Sequence, residues 1–217
     1  MLVQKQVGPV STTSSISAGV LVPGRTGNMG EDIVSELHGR YYEATYRRSM
    51  FTAGVSTLIA TATTASPTTT ITGAQVLYNP IGNTVNVVLN KVALGFALAN
   101  LAGVVGIATG YSGSTAISGT LTTVTATPKN RFVGVGAAPT AQSYASASIT
   151  LPTAVTLDVI LLTTGSLATT GFAMQQMTYD LEGGIVLPPG GYATVWSNFI
   201  IPASSLLSTF QWEEVPV

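Results

Sequence analysis

The sequence predicts an all-β protein, a jelly-roll-like β-sandwich that carries an extended N-terminal arm. Three observations lead there. Charged residues make up only 8% of the 217 residues and hydrophobic ones 46%, whereas an average soluble domain is about 25% charged. From about residue 51 onward, short runs rich in Val, Ile, Leu, Thr and aromatics alternate with turn-forming clusters, the pattern of strands joined by tight connections. The few charges are gathered early, eight of them between residues 25 and 48.

Residues 1–50 read as the arm and inter-subunit contact segment, and residues 51–217 as the sandwich body. Ser11-Thr12-Thr13-Ser14-Ser15 and the stretch from Pro23 to Gly30 are turn and loop formers without a face to bury. At about 3.3 Å per residue, an extended arm of this length reaches on the order of 150 Å. Within it, residues 31–38 are expected as a short helix, with Ile33, Val34 and Leu37 on one side and Gly39 as its stop.

In the body, strands are expected at 55–62, 75–78, 84–99, 104–108, 120–127, 144–151, 155–163, 192–199 and 206–212. Between them lie turn signals such as Asn79-Pro80-Ile81-Gly82-Asn83, Pro128-Lys129-Asn130 and Pro188-Pro189-Gly190-Gly191. Eight or so strands with irregular loops suit a jelly roll, and no repeat of 20 to 50 residues points to a propeller or solenoid. Residues 92–111 are uncharged and long enough to cross a bilayer. However, Val92, Leu94, Phe96 and Leu98 alternate with Ala93, Gly95, Ala97 and Ala99, a period of two that marks a strand rather than a membrane helix. The Thr-rich tracts at 61–64, 68–72 and 120–127 have no constant spacing for binding an ordered lattice, and fit the solvent side of strands.

Several function classes lose their chemical basis. Eight basic residues scattered among nine acidic ones give a formal charge of −1, so no basic stripe is present to displace counterions from nucleic acid. Without cysteine, thiol nucleophiles and Cys-based metal sites are absent. His38 is the only histidine, and no G-x-S-x-G elbow accompanies it. Glu213 and Glu214 are adjacent, and on a strand adjacent side chains point to opposite faces, so the pair is unsuited to sharing one sugar. Asp158 stands alone, and Gly134-Val135-Gly136 and Gly24-Arg25-Thr26-Gly27 match no nucleotide-binding loop. No catalytic residue, cofactor or metal is therefore expected. The first residues lack the apolar core of a signal peptide, so export is not indicated.

Association is the positive expectation. A chain of such small net charge is not kept from its neighbours by repulsion, and strands apolar on both parities would leave a monomer with large exposed patches. The candidate interface is Arg25, Glu31, Asp32, Glu36, His38, Arg40, Tyr41, Tyr42, Glu43, Tyr46, Arg47 and Arg48. This stretch concentrates the Tyr and Arg side chains that serve protein contacts by pairing apolar area with a polar tip.

The run from Gly30-Glu31-Asp32-Ile33 to Arg40-Tyr41-Tyr42-Glu43, followed by Leu77-Tyr78-Asn79-Pro80 and the strand from Val85 to Leu98, resembles structural proteins of tailed bacteriophages whose genes accompany the major capsid protein. The turn Leu187-Pro188-Pro189-Gly190-Gly191-Tyr192 is similar to turns in jelly-roll phage proteins. The resemblance implies a virion component of the head decoration, or cement, type: a homotrimer on the outer surface of the capsid, bound to the major capsid protein, with no catalytic residue. Two other classes stay open. One is a tail, neck or head-fibre protein that binds a receptor or glycan, with Trp196 and Trp212 as its indole platforms. The other is a carbohydrate hydrolase, which would need paired carboxylates.

Overall fold

The computed structural model describes residues 39–55, 70–72, 75–96, 103–113, 116–119, 128–134, 137–144, 148–150, 155–162, 175–197 and 206–217. The chain divides into two compact units, Met1–Tyr42 and Glu43–Val217. In chain order the elements are α1 (Tyr42–Tyr46), β1 (Met50–Gly54), β2 (Thr70–Thr72), β3 (Val76–Tyr78), β4 (Val85–Phe96), β5 (Gly103–Tyr111), β6 (Ser118–Gly119) and β7 (Lys129–Asn130). They continue with β8 (Gln142–Tyr144), β9 (Ser148–Thr150), β10 (Val155–Leu162), β11 (Gln175–Leu187), β12 (Gly191–Ser197) and β13 (Leu206–Pro216). The expected helix at 31–38, the expected strand at 120–127 and, beyond Val55, the expected strand at 55–62 lie outside the described residues.

The all-β expectation holds. One five-stranded sheet runs β11-β4-β13-β1-β7, a second runs β10-β5-β12-β3-β8, and a small third sheet runs β2-β9-β6. Every neighbouring pair is antiparallel. The two large sheets share one core: Phe51, Leu89, Val92, Leu94, Phe210 and Trp212 from the first meet Leu77, Ile107, Ala193 and Val195 from the second. Phe51 stacks on Trp212 at 6.0 Å between ring centroids.

β4 shows how the hydrophobic pattern sets register. Its core residues are Val87 and Leu89, then Val92 and Leu94, so the alternation slips by one position at Asn90. The slip is a bulge: both neighbouring strands shift register beside Asn90, and β11 makes a four-residue excursion, 181–184, at the same level. Glu182 and Gly183 take positive φ there, and a Cβ on Gly183 would stand 3.2 Å from Val88.

Two buried amides fasten the structure. The Gln75 Nε2 donates to Ala53 O and Ser143 Oγ, and its Oε1 accepts from Ser208 Oγ at 2.7 Å. It thus ties β1 and β13 of one sheet to β8 of the other. Asn79, fully buried, donates from Nδ2 to Val85 O and Leu187 O and accepts from Asn83 Nδ2. Its backbone joins the β11–β12 turn, donating to Gly191 O and accepting from Gly190 N.

That turn, Pro188-Pro189-Gly190-Gly191, closes with Gly191 N donating to Pro188 O, with Gly190 at φ +88. Pro at the second position and a positive-φ Gly at the third define a type II turn. A Cβ on Gly190 would also lie 3.0 Å from Gly113 O. Gly190→Ala is expected to destabilise the body by about 1–3 kcal/mol, from backbone strain and the close approach. A urea titration at fixed protein concentration checks this, and an unchanged midpoint would contradict the turn geometry.

Candidate interaction surface

The surface begins at the end of α1. Arg48 N donates to Thr45 O, and Ser49 donates to Ala44 O from both N and Oγ. This pattern caps a helix when the residue after its last turn is left-handed, a position that favours Gly. Here it is Arg48, at φ +65. A non-Gly residue in that region is strained unless its surroundings hold it, and they do. The Arg48 carbonyl accepts from Asn130 Nδ2, and its guanidinium lies 5.7 Å over the Phe132 ring. Tyr46 meets the same ring edge-on at 6.2 Å.

β1 and β7 make these contacts rigid. Phe51 pairs with Asn130 and Thr52 with Lys129, while Arg131 N donates to Met50 O and Arg131 Nη1 to Gln211 Oε1. Met50 is fully buried and accepts from Asn90 Nδ2 through its sulfur. The acids behind the cluster are engaged within the body. Glu213 accepts from Ser49 Oγ. Glu214 accepts from Thr140 N, Thr140 Oγ1, Ala141 N and Trp212 Nε1. The two adjacent glutamates therefore serve different partners, in keeping with their opposite directions along β13.

Of the sequence-predicted interface residues, Arg25, Glu31, Asp32, Glu36 and His38 lie outside the described residues. Arg40 stands 5.6 Å over the Tyr41 ring, and Tyr42 opens α1 with its N–H donating to Gly39 O. Glu43 is the second residue of α1. Tyr46, Arg47 and Arg48 are exposed, Tyr46 to 60%. Lys129, Arg131, Phe132 and Val133 join Tyr46, Arg47 and Arg48 in the fold, and sequence reading did not place them there. The turn signal at Pro128-Lys129-Asn130 concealed a two-residue strand paired with β1.

Exposed apolar side chains cluster at the same end of the sandwich. The end of β13, the starts of β1 and β4, the turns at 79–83 and 188–191 and the end of β5 converge there. Among the described residues of the second unit, the exposed large hydrophobics other than Tyr179 lie at this end: Tyr46, Ile81, Tyr111, Val133, Val186, Val215 and Val217. By contrast, β12 is buried on both faces: Ala193 and Val195 face the shared core, while Tyr192, Thr194 and Trp196 are buried on the other side. The two-parity pattern of that strand is thus satisfied within one chain. It calls for no neighbour.

Neither indole offers a platform for a sugar, since Trp212 is fully buried and Trp196 is 8% exposed. A pocket of about 190 Å³ beside Tyr144, Gln142, Pro128 and Pro139 is smaller than the roughly 300 Å³ at which small-molecule sites begin. Burial pushes the Tyr144 phenol above its ordinary pKa, with Tyr78 adding to the shift, and its hydroxyl donates to Gln142 Oε1. Among the described residues no three His, Cys, Asp or Glu side chains group as metal ligands, and no helix is long and apolar enough to cross a membrane.

Fold and surface together define the class: an all-β protein of two large sheets and one small one, whose exposed aromatic and aliphatic side chains, among the described residues, gather mainly at one end. No protein-family model matches the sequence, and no curated protein matches it.

Proposed function

We propose that the protein is a structural subunit of a virus particle, of the head decoration type, that self-associates as a trimer and binds the major capsid protein on the outer surface of the capsid. The single observation that carries this reading is the arginine–aromatic cluster of Tyr46, Arg48 and Phe132. It flanks the paired strands β1 and β7, at the end where the exposed apolar side chains of the described residues gather. Rigid Tyr and Arg beside exposed aliphatics supply contact area at small entropic cost. The strand orders support the reading, because β1-β13-β4-β11 and β3-β12-β5-β10 are the two four-stranded orders of a jelly roll, a frequent architecture of viral capsid proteins.

The test sets assembly against stability. The triple variant Arg40→Ala, Arg47→Ala, Arg48→Gly should leave the unfolding free energy of the free chain within about 1 kcal/mol. Relief of the left-handed strain at Arg48, about 1 kcal/mol, offsets much of the two lost cation–π contacts, Arg40 on Tyr41 and Arg48 on Phe132, about 0.5–1 kcal/mol each. Incorporation into particles should fall by the equivalent of about 2–5 kcal/mol if these arginines meet buried partners. Normal incorporation of a normally stable variant would reduce the cluster to a solvated face and remove the main support for the reading.

A further inference from the structure

Four cations stand exposed around one aromatic and aliphatic patch: Arg47 and Arg48 after α1, and Lys129 and Arg131 flanking β7, with Tyr46 and Val133 exposed among them. Val133 is 90% exposed, the largest value among the large hydrophobics of the described residues. Glu213 and Glu214, on the neighbouring strand β13, accept hydrogen bonds from Ser49, Thr140 and Ala141, and Glu43 lies one helical turn before Arg47, so the cations outnumber the acids around the patch. The patch therefore combines positive charge with bare apolar area, and its complement is a segment that is acidic and aliphatic.

The chain contains one segment of that kind. Between Arg25 and Arg40 the charged residues are Glu31, Asp32 and Glu36, and Ile33, Val34 and Leu37 lie among them. The remaining acids in the sequence are the isolated Asp158, the Asp180–Glu182 pair on β11, Glu43 within α1, and the two engaged glutamates of β13. We propose that residues 31–37 of a second copy dock on this patch. The acidic side chains meet Arg47, Lys129 and Arg131, and the aliphatic ones cover Tyr46 and Val133. This inference rests on the self-association reading above and names the contact that produces it. Each copy gives one acidic segment and offers one basic patch, a head-to-tail contact that closes into a ring when the rotation between copies allows. A formal charge of −1 arises from two opposite local excesses, so copies can attract although the whole chain is nearly neutral.

The experiment is a charge swap followed through sedimentation velocity, with the thermal midpoint of each variant as a folding control. In the patch variant Arg47, Lys129 and Arg131 become Glu; in the segment variant Glu31, Asp32 and Glu36 become Lys. Each variant alone should associate at least about tenfold more weakly than wild type, because three attractions become repulsions. A one-to-one mixture should regain association, since the acidic segment of the first finds the unaltered patch of the second, and the lysines of the second find the glutamates of the first. A contact within one chain predicts no rescue on mixing, and that result overturns the proposal. Wild-type-like association of both variants also overturns it while leaving self-association intact. A wild-type chain that sediments as a monomer at micromolar concentration would instead remove the reading on which it rests. Should the patch variant fail to fold, Arg47→Gln with Lys129→Gln carries the same test, because both positions are exposed and each change keeps a polar tip. Weakening with no gain on mixing with the segment variant would again count against the proposal.

Discussion

Trp212→Ala is expected to destabilise the body by about 3–5 kcal/mol, the range for truncating a large buried aromatic. Trp212 is fully buried, stacks on Phe51 and occupies the middle of the core shared by the two sheets. Removing it takes away a large apolar area and leaves a void that β1, β4 and β13 can close only in part, since their registers are fixed by the ladder. It also withdraws the indole N–H from Glu214, the carboxylate that holds the Thr140–Ala141 loop. Domains are stable by about 5–15 kcal/mol in total, so a loss of this size moves the urea midpoint by a large fraction of its value. Trp212→Phe keeps most of the ring area and should cost distinctly less. Measurements belong at one protein concentration, because association adds apparent stability by mass action. A shift below about 1 kcal/mol for Trp212→Ala would mean the inter-sheet core is not organised around this residue.

Where a strand is central and its pattern unbroken, the sequence is easily read. β5, β10, β12 and β13 lie within a few residues of their expected ranges, because their Val, Ile and aromatic content agrees with burial between neighbours. β11, thirteen residues long, was not expected at all. It begins Gln175-Gln176, carries Asp180 and Glu182, and is interrupted by Gly183-Gly184. As an edge strand it has one ladder partner, β4, so only part of its length needs apolar side chains. Its excursion at 181–184 answers the phase slip of Asn90 on a different strand, and no local pattern in β11 signals that. β1, at Met50–Gly54 immediately after the charged segment, is a further strand the sequence did not announce, because the charge boundary concealed it; the strand expected at 55–62 lies, beyond Val55, outside the described residues.

The candidate surface was legible in part for the same reason. Tyr46, Arg47 and Arg48 stood out by composition, while Lys129, Arg131 and Val133 come from a distant loop that only the pairing of β1 with β7 brings alongside. Gln75 reads only as the start of a strand and Asn79 only as a turn residue, and neither signals its burial, since a buried amide looks the same in sequence as an exposed one. Their importance arises entirely from which carbonyls and hydroxyls the fold places around them.

Gln75 is the sharper test of that point, because its side chain ties one sheet to the other. Gln75→Leu preserves approximate size but leaves Ser208 Oγ without its acceptor, and Ser143 Oγ and Ala53 O without the amide donor. Each buried polar group left unsatisfied costs about 1–3 kcal/mol, and the expected loss is about 2–5 kcal/mol. The double variant Gln75→Leu, Ser208→Ala should lose less than the sum of the two single changes, since removing both partners leaves fewer orphans than removing one. Gln75→Glu adds a pH signature. The replaced nitrogen becomes an oxygen facing Ala53 O, and burial opposes ionisation, so the carboxyl pKa in the folded state should rise above the unfolded value of about 4.3. The folded protein then binds more protons than the unfolded chain between those two values, and stability falls as pH rises through that window. Relative to wild type, Gln75→Glu should therefore recover stability as pH is lowered from 7 toward about 4, while Gln75→Leu should show no such recovery. If the two variants track each other across that range, the side chain at position 75 does not occupy the buried network between the sheets.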